Sequence, residues 1–437
     1  MPASLSLNLR SLVDCVMLPA KARKRPASPL PPTQRLRGTA NVAADLHGAG
    51  RLMIDAVKGI TDVVEDLHHS ISRMAPITGP TPAGRTKGIT GFVYRSVRGV
   101  THGVGIGLDV ALSRLTPLVS GRRTSERREA VLAVINGIVG DYLAATDNPL
   151  AIRMSLRQRG VPLVLERDHL RQTFSAGNLL IMAHGLCMND RQWQRNGHDH
   201  GVVLGQASGH TVLYLHYNSG RQIGQNGRDF ASLLQTLVEQ WPVVIESIRI
   251  VGHSMGGLVT RSACEVAKLQ RQQWLKHLKA IVFLGSPHHG APLERAGNWF
   301  NTLLAVSPYT APFVRLAGIR SAGIQDLRHG TIIDQPLAQR ALRMPSGVLC
   351  FAIAATNSKR PANPRGRLTG DGLVPVASAL GQSPPGGADL RVRYAFPASR
   401  RAIFYAHGHF DLLSSAPVCD KIRTWLFALN EKPVRAE

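Results

Sequence analysis

The residues best suited to chemistry stand in Gly252-His253-Ser254-Met255-Gly256-Gly257, which follows the β-branched run Ile248-Arg249-Ile250-Val251. Gly-x-Ser-x-Gly after such a run reads as a strand turning sharply into a helix, with Ser254 on the turn. That geometry accounts for Gly252 and Gly256, because side chains there would meet the neighbouring strand or helix. The Ser254 hydroxyl is then left standing above the sheet, where it is a candidate nucleophile for acyl transfer. The motif also arises by chance, so its context has to carry the rest.

Acyl transfer through a serine needs two backbone N–H groups aimed at the developing oxyanion, and losing one such donor costs about 3 to 4 kcal/mol of transition-state stabilisation. The apolar run Asn178-Leu179-Leu180-Ile181-Met182-Ala183 has the length of a strand and ends in His184-Gly185-Leu186. The predicted donors are the N–H groups of Leu186, in this His-Gly loop, and of Met255, just after the serine. His184 reads as a brace that hydrogen-bonds the loop, and bracing is also how it would serve the hole.

The serine further needs a base and an orienting carboxylate, in the chain order Ser, Asp or Glu, His. Asp371 lies between glycines in Thr369-Gly370-Asp371-Gly372-Leu373-Val374-Pro375, downstream of the apolar strand Val348-Leu349-Cys350-Phe351-Ala352-Ile353. It can reach across the strand ends; the plain alternative is a solvated turn aspartate. In Ala402-Ile403-Phe404-Tyr405-Ala406-His407-Gly408-His409-Phe410-Asp411-Leu412-Leu413 another strand ends in two histidines. One of His407 and His409 is the expected base.

Four segments together resemble the lipase-like branch of the α/β-hydrolases, which includes bacterial lipases and esterases and the domain of GPI inositol-deacylase-like proteins. They are the elbow at 252–257, Gly285-Ser286-Pro287-His288-His289-Gly290, Gly-Asp-Gly-Leu-Val-Pro at 370–375, and His409-Phe410-Asp411-Leu412-Leu413. The resemblance spans about residues 160–430. It implies an α/β-hydrolase fold and selects His409, the histidine just before the Leu-Leu pair, with His407 as the fallback. It also makes the Gly-Ser-Pro-His-His-Gly loop a structural border of the site. His288 and His289 lack a third ligand at suitable spacing, so neither metal nor cofactor is expected. In the implied mechanism His409 takes the Ser254 proton, the alkoxide attacks an ester carbonyl, and Asp371 holds the imidazole tautomer and stabilises its cation. Water then deacylates the enzyme.

Other elements must position these groups. Residues 211–217 read as a strand, 227–241 as an amphipathic helix, the stretch after Ser254 to about Gln270 as the helix behind the elbow, and 279–284 as the next strand. Such alternation predicts a mainly parallel sheet covered by helices on both faces. Its carboxyl ends then carry Ser254, Asp371 and His409. Between about 292 and 346 the rhythm breaks around Trp299, Phe300, Leu303, Leu304, Tyr309, Phe313 and Leu316. This insertion is expected to cap the site, its apolar side chains either lining an acyl pocket or packing the cap down.

The first 160 residues differ in kind. Residues 1–40 hold seven Lys or Arg against one acid, Asp14, with prolines clustered from Pro26 to Pro32, and are expected to be a disordered basic tail. They do not read as a signal peptide, because the basic run follows a short apolar stretch. Residues 41–150 read as a helical accessory region that packs on the catalytic domain, on itself or on a partner. One apolar face runs from Leu46 to Met74, a second segment covers 89–118 with Gly99, Gly103 and Gly107 four apart, and a third helix starts near Thr124 or Ser125 and reaches Tyr142. Arg95, Arg98, His102, Asp109 and Arg114 interrupt the glycine-spaced segment and rule it out as a membrane span.

With 437 residues and 44% hydrophobic content, the chain suits one catalytic domain plus the accessory region. Its net charge of +24 predicts attraction to polyanions, foremost an anionic membrane surface, unless it reflects an arginine-rich proteome. Aromatics at 5% and no recognition motif argue against nucleic acid. Cys15, Cys187, Cys264, Cys350 and Cys419 are odd in number and widely spaced, which predicts reduced thiols without a disulfide framework or zinc site. The expected compartment is the cytoplasm, peripheral at a membrane if the charge has a partner. The expected function is a serine carboxyl-ester hydrolase acting on an acyl ester or lipid. The alternatives are an acyltransferase using the same triad, or a basic membrane-associated scaffold with a vestigial hydrolase domain; the sequence leaves oligomeric state and substrate open.

Overall fold

Four of the apolar runs, Leu179–Ala183, Ile248–His253, Ala280–Leu284 and Cys350–Thr356, are buried at every position. Strands hidden on both faces cannot alternate polar and apolar residues, which is why these segments read as continuous hydrophobic runs. In the computed structural model, which describes residues 48, 50–51, 126–291, 321–333, 345–359, 370–382 and 396–427, they form the centre of an eight-stranded sheet. Its strands are β1 (Ser155–Gln158), β2 (Val161–Pro162), β3 (Asn178–Ala183), β4 (Thr211–His216), β5 (Ser247–His253), β6 (Leu278–Leu284), β7 (Leu349–Thr356) and β8 (Arg401–Tyr405). The order is β2-β1-β4-β3-β5-β6-β7-β8. From β4 to β8 every pairing is parallel, while β1 pairs antiparallel with both β2 and β4.

The main helices are α1 (Glu126–Ala145), α2 (His200–Ser208), α3 (Ile223–Gln240), α4 (Met255–Gln270), α5 (Ala322–His329) and α6 (Ala416–Phe427). Nearly all of α4 is buried, so it lies inside the molecule directly behind the elbow. It meets α3 so closely that a Cβ at Gly227 would fall 2.0 Å from Ser262 Oγ. The expected alternation of strands and helices is therefore present, and the ends differ from expectation by only a few residues: α3 starts at Ile223 instead of Gly227.

One feature differs more. The β1–β2 hairpin was not anticipated, because Ser155-Leu156-Arg157-Gln158 offers a single apolar residue and no period of two. The third helix of the accessory region is present as α1, and its Val134, Ile138, Val139 and Leu143 join the same hydrophobic core as the sheet. Gly48 and Arg51 also reach it, through Asn148 Nδ2 on the Gly48 carbonyl (3.1 Å) and Arg51 on the Thr146 carbonyl (3.0 Å). The basic tail 1–40, the glycine-spaced segment 89–118, the rest of the 46–74 face and the apolar cap residues from Trp299 to Leu316 lie outside the described residues. Among the described residues, no helix is long and apolar enough to cross a membrane.

Sheet order decides where a site can form. The chain leaves β3 toward β4 on one side and returns to β5 on the other, so the loops after β3 and β5 diverge and open a crevice at their carboxyl ends.

Candidate active site

Ser254 sits on the turn between β5 and α4 with φ 52° and ψ −121°. A non-glycine residue in this region is strained, and the surrounding packing has to hold it there. The packing is visible: Ser254 N–H donates to the Leu284 carbonyl at 2.8 Å, and Gly257 N–H to the Ser254 carbonyl at 3.2 Å. A Cβ at Gly252 would approach Gly257 Cα to 2.7 Å, and one at Gly256 would approach the carbonyl oxygens of Ala183 and His184 to 2.4 and 2.5 Å. Both glycines thus permit backbone contacts that any side chain would break. Ser286 from the border loop closes the other side, with its hydroxyl 2.0 Å from where a Gly257 Cβ would stand.

Asp371 and His409 meet at the carboxyl end of the sheet. His409 Nδ1 lies 2.7 Å from Asp371 Oδ2, and each residue is 3% exposed. Asp371 Oδ1 is occupied separately, accepting from the N–H groups of Leu373 (2.9 Å) and Val374 (2.8 Å), so the carboxylate cannot rotate away from the ring. The main chain adds a second tie, His409 N–H to the Asp371 carbonyl at 3.1 Å. Asp371 is therefore a buried and fully engaged carboxylate, unlike the solvated turn residue that was its alternative. His407 lies elsewhere: its Nδ1 is 2.7 Å from the Tyr405 carbonyl and its Nε2 2.9 Å from Ser415 Oγ.

Ser254 and His409 face one small cavity of about 20 Å³, with room for about one water, lined also by Gly185, Leu186, Met188 and Phe410. Among the described residues no hydrogen bond joins the Ser254 hydroxyl to His409. Gly185 brings the loop after β3 against the serine, since a Cβ there would stand 3.1 Å from Ser254 Cβ. The N–H of Met255 is the first of α4 and has no partner within the helix. Neither it nor the N–H of Leu186 donates to another described group.

A family described as a PGAP1-like alpha/beta domain matches residues 228–358, a stretch that begins in α3 and ends just past β7. The eight-stranded, mainly parallel sheet with its helices has the architecture of an α/β-hydrolase fold. No curated protein matches the chain. Among solved structures, this chain is similar to a mature lipase of Bacillus licheniformis, with 15% identity, a TM-score of 0.39, and 62% of this chain and 98% of that one covered. It is also similar to a lipase-esterase related protein of Clostridium acetobutylicum (14%, TM-score 0.33, 58% and 96% covered) and to an esterase of Pyrococcus furiosus (14%, TM-score 0.35, 57% and 80% covered).

The histidine and cysteine in the loop after β3 are held neutral. His184 stacks on Tyr217 with ring centroids 4.4 Å apart, and its Nδ1 lies 2.9 Å from the Gly185 carbonyl. Tyr217 donates its hydroxyl to the His184 carbonyl at 2.9 Å. His184 is thus tied within its own loop, and burial together with the nearby His216 pushes its pKa down to about 3. Cys187, beside it, is buried and held by burial at about 12, so its thiol is inert at neutral pH.

Three supporting features were not legible in the sequence. His253, the variable position of the elbow motif, places Nε2 3.2 Å from the His409 carbonyl and its ring 4.6 Å from the His409 ring. Burial and the adjacent His409 keep it well below the ordinary histidine value, so it packs against the proposed base as a neutral ring. Tyr217 follows β4 directly and carried no motif. The third is a charged cluster around Arg157, which reaches Glu129 of α1 at 3.1 Å and Asp190 at 3.0 Å, while Arg191 Nε reaches Glu129 at 2.7 Å. Burial alone would raise Asp190; His216 and Arg157 outweigh it and hold the carboxyl at about 2. The cluster fastens α1 to β1 and to the loop that carries Leu186.

Proposed function

We propose that this protein is a serine-dependent carboxyl-ester hydrolase, with Ser254 as nucleophile, His409 as general base, Asp371 as the carboxylate that orients it, and the N–H groups of Leu186 and Met255 as the oxyanion hole. The observation that carries the proposal is the buried 2.7 Å Asp371–His409 pair, which opens on the same cavity as an elbow serine. Asp371 accepts from Nδ1–H, which leaves the His409 Nε2 lone pair free to take a proton. His409 removes the Ser254 proton as the hydroxyl oxygen attacks the ester carbonyl. The tetrahedral oxyanion forms between two N–H groups that have no competing acceptor. His409 then gives its proton to the leaving alcohol, and water attacks the acyl-enzyme through the same base.

The cavity walls are mainly apolar, with Leu186, Met188, Ala291, Leu327, Leu373, Val374 and Phe410 around three polar groups, His253, Ser254 and His409. That lining supports a substrate whose acyl part is hydrocarbon, a lipid ester included. Net charge supports action at an anionic membrane surface. In this reading the catalytic body begins at α1, and the tail, the remaining accessory residues and the cap extend it.

Hydrolysis of p-nitrophenyl esters of graded chain length by wild type and by Ser254→Ala tests the proposal. Turnover by the wild type, favouring medium or long chains and lost in Ser254→Ala, is the expected result. A Ser254→Ala protein with wild-type turnover would remove the serine from the mechanism.

A further inference from the structure

Away from the cavity, three side chains with metal-ligand chemistry converge from distant parts of the chain. His198 and His200 flank Asp199, the N-cap of α2, and Cys419 lies on α6. Their ligand atoms all lie within 4.8 Å of one another. The backbone that presents the histidines is held on both sides. Arg195 and His198 exchange N–H to carbonyl bonds of 2.8 and 2.9 Å, and Asp199 Oδ1 accepts from Val202 N–H at 3.1 Å and from the Tyr214 hydroxyl at 2.8 Å. Asp199 is thereby engaged elsewhere, and the two imidazoles are left facing Cys419.

The tautomer of His200 follows from geometry. Its Nε2 lies 2.8 Å from the Leu412 carbonyl, which only accepts, so Nε2 carries the hydrogen. In the neutral ring Nδ1 then bears the lone pair, and it points at His198 Nε2 2.6 Å away. A ring N–H given to a backbone carbonyl, with the opposite nitrogen turned toward other donors, is the arrangement that orients metal-binding histidines. Two imidazoles and a thiol make a borderline-soft set. Calcium and magnesium prefer oxygen ligands and do not suit it, whereas zinc-like cations do.

We propose that His198, His200 and Cys419 form a binding site for a borderline-soft divalent cation of the zinc class, with its fourth position open to solvent. Tetrahedral coordination at ordinary Zn–N and Zn–S lengths places donor atoms about 3.3 to 3.6 Å apart. The two ring nitrogens therefore separate slightly and the sulfur moves inward. Cys419 loses its thiol proton to solvent and ligates as thiolate. The hydrogen on His198 Nε2, now donated to His200, passes through solvent to His198 Nδ1, so one proton is released for each ion bound. The bound ion joins the His198–His200 segment to α6 and, through the His200–Leu412 bond, to the turn just beyond His409. Its occupancy stiffens the segment that carries the proposed base; that consequence rests on the reading of His409, whereas the site itself does not.

The test is titration of the folded full-length protein with Co²⁺ and then Zn²⁺, followed by thiolate-to-cobalt charge-transfer absorption and by thermal unfolding. The expected result is a thiolate band that saturates at one Co²⁺ per chain and is bleached by Zn²⁺, with a higher Tm in Zn²⁺. Cys419→Ser should abolish the band and the Tm rise. His198→Ala, at the partly exposed edge, should weaken Co²⁺ binding by at least about tenfold, as loss of one of three ligands implies. No thiolate band in folded wild type would overturn the site, and so would a band undiminished in Cys419→Ser. Neither readout involves ester turnover, so failure here and failure of the hydrolase reading are separable.

Discussion

Asp371→Asn separates the orienting role of this carboxylate from its structural one. In the wild type Oδ1 is held by the N–H groups of Leu373 and Val374, and Oδ2 faces His409 Nδ1 at 2.7 Å. An asparagine keeps its carbonyl oxygen on those two donors, because turning the amide would set N–H against N–H. The NH2 group then meets His409 Nδ1, which has to accept, and the ring hydrogen moves to Nε2. A histidine in that tautomer cannot take the Ser254 proton. The expected loss in kcat is about 10⁴-fold, or about 5.4 kcal/mol at 1.36 kcal/mol per decade. Both partners are 3% exposed, so bulk water cannot restore the orientation. The fold should survive, since the Leu373 and Val374 donors stay satisfied. Asp371→Ala, by contrast, orphans two buried N–H groups at about 1 to 3 kcal/mol each. The assay is kcat on a p-nitrophenyl ester beside urea denaturation of both variants. Asp371→Asn activity within tenfold of wild type, or equal destabilisation of the two variants, would refute the reasoning.

Three other outcomes follow from the same geometry. Arg157→Ala leaves the buried Asp190 carboxylate without its guanidinium and Glu129 with Arg191 alone, and should cost about 3 to 5 kcal/mol in urea denaturation; a loss below about 1 kcal/mol would mean the cluster does not fasten α1. Gly256→Ala drives a methyl group to 2.4 Å from the Ala183 carbonyl oxygen, so α4 or the loop after β3 must shift. It should lower stability by about 1 to 3 kcal/mol and reduce kcat more than it raises KM, and unchanged kinetics would contradict it. Stability should also fall with pH. His184 has a folded pKa of about 3, below its unfolded value, so its contribution is complete above the unfolded pKa and is lost as pH drops from about 6.5 toward 3. The slope from this one residue reaches about 1.4 kcal/mol per pH unit, and His184→Gln should flatten it. A urea midpoint that rose on acidification through this range would show the opposite sign.

What was legible in the sequence was local or ordered. The elbow packs its strand, serine and glycines into ten residues, and their identities follow from backbone contacts that only glycine allows. Asp371 and His409 were found through chain order and their positions after strands, although the spacing alone did not separate His407 from His409; the family resemblance did. Long-range polar packing left no such trace. Nothing local marks Glu129, Arg157 or Asp190, because their mutual burial exists only once α1 lies across β1. Cys419 is remote in the chain from His198 and His200, and wide cysteine spacing argued against a metal, yet the fold of α6 onto α2 sets them together. β1, between the two-residue edge strand β2 and β4, was obscured by its polar composition, since only its Leu156 is fully buried.

The central claim is that Ser254 is an activated nucleophile, and fluorophosphonate labelling followed by peptide mass mapping tests it most directly. The account predicts one adduct, on the Ser254 peptide of the wild type, absent from Ser254→Ala and strongly reduced in Asp371→Ala and His409→Ala. A folded wild-type protein that takes no label, or takes it on another residue, would contradict the account.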